Sequence, residues 1–411
     1  MVSRSTGNAV TADPRTREES GPVQCDVVVI GAGAAGLSLA WRLLAPPAGV
    51  AAPSVALVEA PPGPLRPPPR TWCYWERGAG DYDHWLTASW GRLRLHAPGG
   101  RALHRDLGGL RYKMLSSDAF DRGLRPRLTG LRRVEAVARE IVDRPDGVTV
   151  ICRAADGTEH RIRARWAFDS RPPSPAPPAR VGLLQHFKGW FVHTERAAFA
   201  PDAVHLMDFR TAQPPHGLSF GYVLPLTPHR ALVEYTEFSA APLSDDSYDE
   251  ALRHYTGSLL GLRSFEVRAV EQGRIAMTDA RHPRRAGRST FRIGSAGGAV
   301  RPSTGYAFAA IQRQTKAVAS LVHAGREPLP PPAYPRRSLA MDAILLRGID
   351  TGRISGPDFF TRLFEEVPAE RLLRFLDGGT GPLDEFRIGL HTPVLTMLRT
   401  TAELPFLGRR T

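Results

Sequence analysis

Lysine is nearly absent from this sequence. The net charge of +13 is carried almost wholly by arginine, and the lysines are Lys113, Lys188 and Lys316. A basic surface of this kind can meet nucleic acid, an anionic membrane or an acidic substrate. The basic residues are scattered, without a helix-turn-helix, zinc-finger or aromatic RNA-binding signature, so nucleic acid is not expected as a partner. Cysteine is equally sparse. Cys25, Cys73 and Cys152 stand apart, without the pairing of a metal site or the density of a disulfide framework. That suits a reducing, cytoplasmic setting and predicts no bound metal. No apolar run reaches the roughly 18 residues of a membrane span, so any membrane contact is expected to be peripheral. Residues 1–24 are polar and charged, lack the apolar core of a signal peptide, and read as a disordered tail.

What is present is organised around residues 25–36, CDVVVIGAGAAG. Val27 to Ile30 form a continuous apolar run, as in a parallel strand covered on both faces. Gly31, Gly33 and Gly36 then fit G-x-G-x-x-G: a tight turn, a close backbone approach to a pyrophosphate, and a close helix–strand contact. The helix that follows, about residues 34–44, offers free N–H groups to that anion. A second short strand, Val55 to Val58, ends in Glu59, on the order of 20 residues past the last glycine, where a carboxylate holds a ribose 2′-OH. An acid there disfavours a 2′-phosphate, so FAD or NAD is expected at this site rather than NADP.

Further along, a proline-rich loop (61–69) leads into an aromatic cluster, Arg70 to Glu76, whose spacing alone reads as a core or lid edge. Residues 134–150 and 161–168 read as strands around the Asp156-Gly157 turn, a hairpin at a sheet edge. From Leu183 to Ser239 the pattern is one of antiparallel strands and turns. Its last hairpin places Leu232, Glu234, Thr236 and Phe238 on one face, and Val233, Tyr235 and Glu237 on the other. Residues 245–260 read as helix. A second glycine-rich strand end carries Gly294, Gly297 and Gly298, followed by Thr304, Gly305 and Tyr306 before a helix over 309–324. FAD needs such extra backbone donors for its ribityl and isoalloxazine parts; a plain NAD site has less reason for them. Past residue 335 the chain is helical and amphipathic. Residues 392–407, with Leu395, Leu398 and Phe406 near arginines, read equally as a membrane-surface element or a packing helix.

Several of these segments together resemble the FAD-dependent lycopene cyclases of bacterial type. They are GAGAAG with Glu59, RTWCYWE (70–76), FDSRP (168–172), LLQHFKGW (183–190), LMDFR (206–210), ALVEYTEFS (231–239), IAMT (275–278), GSAGGAVRPSTGYAF (294–308) and RLLRFLDG (371–378). Their order and spacing match from about residue 25 to 380. The resemblance implies an α/β fold similar to the aromatic-hydroxylase flavoproteins. A Rossmann-type FAD-binding domain (25–72, 130–180, 270–330) would carry an antiparallel-sheet substrate domain (73–129, 181–269) and a helical C-terminal region (331–411). It implies an isomerase of carotenoid biosynthesis, a lycopene β-cyclase that closes the linear ψ-end of a membrane-dissolved carotenoid into a β-ionone ring without net oxidation. Reduced FAD would be required, with NAD(P)H as reductant, and the enzyme would lie on the membrane surface from the cytoplasmic side. The family's essential acid falls on Glu234. Two departures stand out: Ser295 replaces the aspartate usual in the second FAD motif of flavoenzymes, and Asp169-Ser170-Arg171 stands where aromatic hydroxylases have Asp-Gly.

Cyclisation needs a proton placed on a terminal double bond, so the acid must stay protonated near neutral pH. Burial raises a carboxyl's pKa by disfavouring its charged form. The resulting cation needs electron density and exclusion from water. Trp72, Tyr74, Trp75 and Tyr306 are expected either to face that cation or to pack the core and the flavin. Two other readings stand beside this one: a flavin monooxygenase acting on an isoprenoid or aromatic substrate, and a non-catalytic carotenoid-binding flavoprotein. Lycopene, γ-carotene and other acyclic-ended carotenoids present the same end group.

Overall fold

The computed structural model describes residues 23–410. Residues 1–22 of the expected tail lie outside the described residues, while Val23 and Gln24, expected in that tail, already belong to the first strand. The chain opens with β1 (Val23–Ile30), α1 (Ala34–Leu44) and β2 (Val55–Glu59). It leaves through β3 (Thr71–Arg77), β4 (Ala88–Trp90), β5 (Arg92–His96), β6 (Ala102–Asp106), β7 (Leu110–Ser116) and α2 (Ser117–Leu124). It returns as β8 (Arg132–Glu135), β9 (Val137–Arg144), β10 (Gly147–Arg153) and β11 (Glu159–Asp169). A second excursion holds β12 (Gly182–His193), β13 (Ala203–Asp208), β14 (Leu218–Thr227), β15 (Arg230–Ser239), α3 (Asp245–His254) and β16 (Glu266–Thr278). The chain comes back once more as β17 (Thr290–Arg292) and α4 (Phe308–His323). It ends in α5 (Arg336–Asp350), α6 (Gly356–Glu366), α7 (Ala369–Leu376), α8 (Pro382–Gly389) and α9 (Val394–Glu403).

The first sheet has the order β8-β2-β1-β11-β10-β9, with β17 beside the end of β11. β1 pairs in parallel with β2 and β11, and its Val27 to Ile30 are buried, as an apolar run in a doubly covered strand requires. α1 and α4 cover one face, through Leu37, Leu39 and Leu43 of α1 and Ile311 and Val318 of α4. The β10–β11 hairpin turns at Asp156-Gly157 as expected. Residues 134–150 are not continuous strand: they divide among β8, β9 and β10, with a second reversal at Pro145-Asp146.

The second sheet runs β16-β12-β15-β14-β13-β5-β6, antiparallel except where β13 meets β5. One face packs against the C-terminal helices through Leu232, Phe220 and Phe238 with Leu346, Phe359 and Phe360. The other packs against α3 through Val233 and Tyr235 with Tyr248, Leu252 and Tyr255. β16 pairs with β12 along its whole length, and the expected boundary at residue 270 between substrate and FAD-binding segments falls inside it. Glu266 to Val270 are all exposed, and burial alternates only from Glu271 to Met277, so little in the first half of the strand announces it. The helix over 245–260 is α3, continued by one wider turn at Tyr255–Leu259. A third sheet, β3-β7-β4, lies between α4 and the second sheet, with Trp72 stacked on Phe308 on one side and Trp75 against Tyr306 on the other.

Candidate active site

The two glycine turns meet at the N-terminus of α1. Gly31 takes φ +97° and donates its N–H to Val58 O at 2.8 Å. A Cβ on Gly36 would lie 1.8 Å from Gly31 O, so only glycine lets the helix start this close to the strand. Gly33 precedes α1 without a side-chain cap, and a Cβ there would meet nothing within 4 Å, leaving the helix end open to a ligand. Gly294 abuts the same helix, its Cβ direction 2.7 Å from Ala35 Cβ. Gly297 backs against Arg292 O, and Gly298 closes the turn. Ser295 is exposed. Ser170 donates its hydroxyl to Ile30 O at 2.7 Å and fills the space above Gly31. Glu59 sits at the end of β2, with Arg66 at 3.7 Å and Arg133 at 3.8 Å.

The loop before α4 carries the second group of expected residues. Arg301, buried and paired with Asp342 of α5 at 2.7 Å, anchors it, and Arg301 N–H donates to Tyr306 O at 2.8 Å. Gly305 takes φ +73°, with Gln185 Oε1 of β12 just 2.2 Å from where a Cβ would stand. Thr304 Oγ1 and Gln185 Oε1 are buried without a hydrogen-bond partner. Buried polar groups are costly to leave unpaired, so an open helix end and two orphaned polar atoms along the two turns fit an extended polar ligand such as a flavin dinucleotide.

Glu234 lies on β15, 8% exposed. Thr236 donates its hydroxyl to Glu234 Oε1 at 2.5 Å. Burial pushes the Glu234 carboxyl up to about 8; the Thr236 hydroxyl pulls it back down, and the charge of Glu271 raises it further. Leu232 and Phe238 share its face, as the period of two predicts. Glu237 points to the opposite face, 3.8 Å from the buried His186 and accepting from Tyr235 Oη at 3.3 Å.

Cross-strand pairing brings in residues that the sequence did not single out. Tyr222 of β14 stands directly opposite Glu234. Its hydroxyl lies 2.7 Å from that of Tyr112 on β7, which lies 2.6 Å from that of Tyr306. The Cys73 thiol joins this group beside Tyr222 and Tyr112, and burial pushes it up to about 12. Burial likewise holds all three phenols above their ordinary range, so each remains a neutral hydroxyl. A chain of hydroxyls therefore runs from the glycine-rich loop to the residue beside Glu234. Trp75 and Tyr306 border this chain, with ring centroids 4.7 Å apart. Trp72 and Tyr74 project to the other side of β3, onto Phe308, and do not reach Glu234's face. A cavity of about 330 Å³ opens between Tyr74, Trp75, Phe308 and Asp377, and a small one beside it reaches Cys73 and Tyr306.

A separate buried group, His96, His205 and Asp208, brings potential ligand atoms within 4.8 Å of one another. Arg210 grips both Asp208 oxygens, Tyr255 donates to one of them, and Arg94 lies 3.4 Å from His205. Guanidinium groups thus already balance the charge there.

The architecture is similar to that of several solved structures, flavin-dependent enzymes among them. A geranylgeranyl bacteriochlorophyll reductase-like protein from Thermoplasma acidophilum shares 12% identity at a TM-score of 0.60, over 93% of this chain and 100% of that one. The flavin-dependent brominase Bmp2 shares 14% at 0.59, over 87% and 94%. Aklavinone-11 hydroxylase, solved with FAD and aklavinone, shares 19% at 0.54, over 73% and 62%. The fold is therefore the aromatic-hydroxylase-like one, with a Rossmann-type half, an antiparallel sheet laid over it and C-terminal helices. No curated protein matches the sequence. The family model described as "Lycopene cyclase protein" matches residues 26–402, nearly the whole chain, and the protein belongs to that family.

Proposed function

We propose that this protein is a lycopene β-cyclase: it closes the linear ψ-end of lycopene, or of a related acyclic carotenoid, into a β-ionone ring with no net oxidation. The observation that carries this reading is Glu234, a carboxyl buried among apolar side chains and held up to about 8, hence mostly protonated at neutral pH. Glu234 gives its proton to the terminal trisubstituted double bond. The neighbouring double bond attacks the tertiary cation, and loss of a ring proton completes the product. Electrons balance without an oxidant. The apolar face around Glu234 excludes water that would otherwise capture the cation.

Gly31, Gly33, Gly36 and Glu59 would hold the pyrophosphate and ribose of FAD; Gly294, Gly297, Gly298, Thr304, Gly305 and Tyr306 would hold its ribityl and isoalloxazine parts. The open end of α1 and the orphaned Thr304 and Gln185 oxygens support this assignment. Reduced FAD, when bound, supplies an electron-rich surface that stabilises a nearby cation, and NAD(P)H is its proposed reductant.

The substrate dissolves in the bilayer, and no helix among the described residues is long and apolar enough to cross a membrane. We assign membrane contact to α8, α9 and the turn after them. Leu383, Phe386, Leu390, Leu395, Leu398 and Phe406 are exposed there, Leu395 at 84% and Phe406 at 88%, with Arg387 and Arg399 also exposed among them. Apolar side chains ringed by arginine suit an anionic bilayer surface.

The test is an anaerobic assay with lycopene in liposomes and chemically reduced FAD, read by chromatography and mass. Ring-bearing products of unchanged mass are expected. Stoichiometric use of O2 and NAD(P)H with oxygen added to the product would establish a monooxygenase instead, and bound pigment with no new ring would establish a non-catalytic carrier.

A further inference from the structure

Glu234 has a counterpart two strands away. Glu271 of β16 pairs with Gly189 of β12, and Gly189 pairs with Glu234 of β15. Residues in one such row project to one face. The outer two strands are about 10 Å apart, and Gly189 puts no side chain between them. A Cβ at Gly189 would lie 2.9 Å from Leu232 Cδ1 and 3.4 Å from Glu234 Cβ.

The two carboxyls have different surroundings. Glu234 is buried and accepts one hydroxyl hydrogen bond. Glu271 is half-buried at the sheet edge. Thr71, at the start of β3, donates its N–H to Glu271 Oε1 at 2.7 Å and its hydroxyl to Oε2 at 2.6 Å. Donors on both oxygens fix the orientation of this carboxyl group at the edge of the face. Two carboxyls on one face, one enclosed among apolar side chains and one held by two donors at the open edge, are an arrangement in which one can act as acid and the other as base. Glu237 cannot serve, because it points through the sheet to α3.

We propose that Glu271 is the base that removes the ring proton, and that its position selects the β-ring. The inference rests on the cyclisation proposed above. After ring closure the cation sits on the methyl-bearing ring carbon, and three neighbouring carbons carry hydrogen. Loss from the carbon bearing the polyene gives the β-ring, loss from the ring methylene gives the ε-ring, and loss from the methyl gives an exocyclic methylene. In each case the C–H electron pair becomes the new double bond and the proton leaves. Here it passes to Glu271. The turnover leaves Glu234 ionised and Glu271 protonated, and one proton transfer across the Gly189 gap or through solvent at the β16 edge restores both.

The test compares wild-type holoenzyme with Glu271→Gln and Glu271→Asp in the anaerobic liposome assay, scoring ring type by chromatography and NMR, with flavin content and melting temperature as folding controls. Loss of a general base costs on the order of 100-fold in rate, so Glu271→Gln is expected to be slowed to that degree and to form ε-ring or exocyclic products alongside β. Glu271→Asp should keep the β-ring at intermediate rate. A β-only product from Glu271→Gln, at whatever rate, overturns the proposal, since a structural role alters rate but not the site of proton loss. Should Glu271→Gln form no ring, Glu271→Asp decides: β-ring formation supports the base, and a flavin-loaded but inactive aspartate variant overturns it. Failure of the wild type to form any ring would instead remove the cyclase reading itself, and this inference with it.

Discussion

Replacing Glu234 with glutamine should change how stability depends on pH as well as abolishing cyclisation. The carboxyl titrates near 4.5 in an unfolded chain and at about 8 in the folded protein. The folded state therefore holds this proton more tightly. Its contribution is fully present below about pH 4.5 and is lost as the pH rises through about 8. At about 1.4 kcal/mol per pH unit, the whole loss approaches 5 kcal/mol, an upper bound that relaxation around the ionised group reduces to about 2–5 kcal/mol. Glutamine keeps the shape, still accepts from Thr236, and has no proton to lose. Every other titrating group is shared, so the difference between the two proteins isolates position 234. Chemical denaturation of both at pH 5, 7 and 9 is expected to show the variant gaining on the wild type by at least ~2 kcal/mol between the extremes. Wild-type cyclisation should fall about tenfold per unit above pH 8 as the acid ionises. A stability difference that stays flat from pH 5 to 9 would refute the reasoning, because a carboxyl already ionised in the folded state at pH 7 has no such dependence.

Gly36→Ala should place a methyl against the Gly31 carbonyl, 1.8 Å away, where both partners are backbone; a cost of about 3 kcal/mol or more and a fall in bound flavin per protein, read from the visible spectrum, are expected. Leu395→Ser combined with Phe406→Ser should weaken binding to anionic liposomes in co-sedimentation. With about 1.5–3 kcal/mol per buried apolar side chain, at least a tenfold loss is expected, without a change in melting temperature, since neither side chain is buried in the fold.

Much of the dinucleotide half is local in origin. A β-branched run, a turn that only glycine fits, and a helix beginning at that turn are all set by residues adjacent along the chain, and β1, α1 and β2 stand where that logic puts them. Glu234 and Glu237 likewise separate to opposite faces because side chains alternate along any strand.

Beyond Leu232, Thr236 and Phe238 of its own strand, the surroundings of Glu234 come from elsewhere in the chain. The two-residue turn at Pro228-His229 alone would set Tyr222 opposite Tyr235. An irregularity between Pro225 and Thr227 shifts the register by one and sets it opposite Glu234 instead, and such a shift exchanges the faces of a whole strand. Tyr112 reaches the site on β7, from a separate sheet, and Glu271 arrives on the edge strand β16, two strands away from Glu234. Sequence by itself thus determined the glycine turn, the strand hairpin and the face on which Glu234 lies, because each depends on backbone sterics and period within a few residues. The pairing register, the hydroxyl chain and the second carboxylate were decided by tertiary structure, because they depend on which distant strands come to lie side by side.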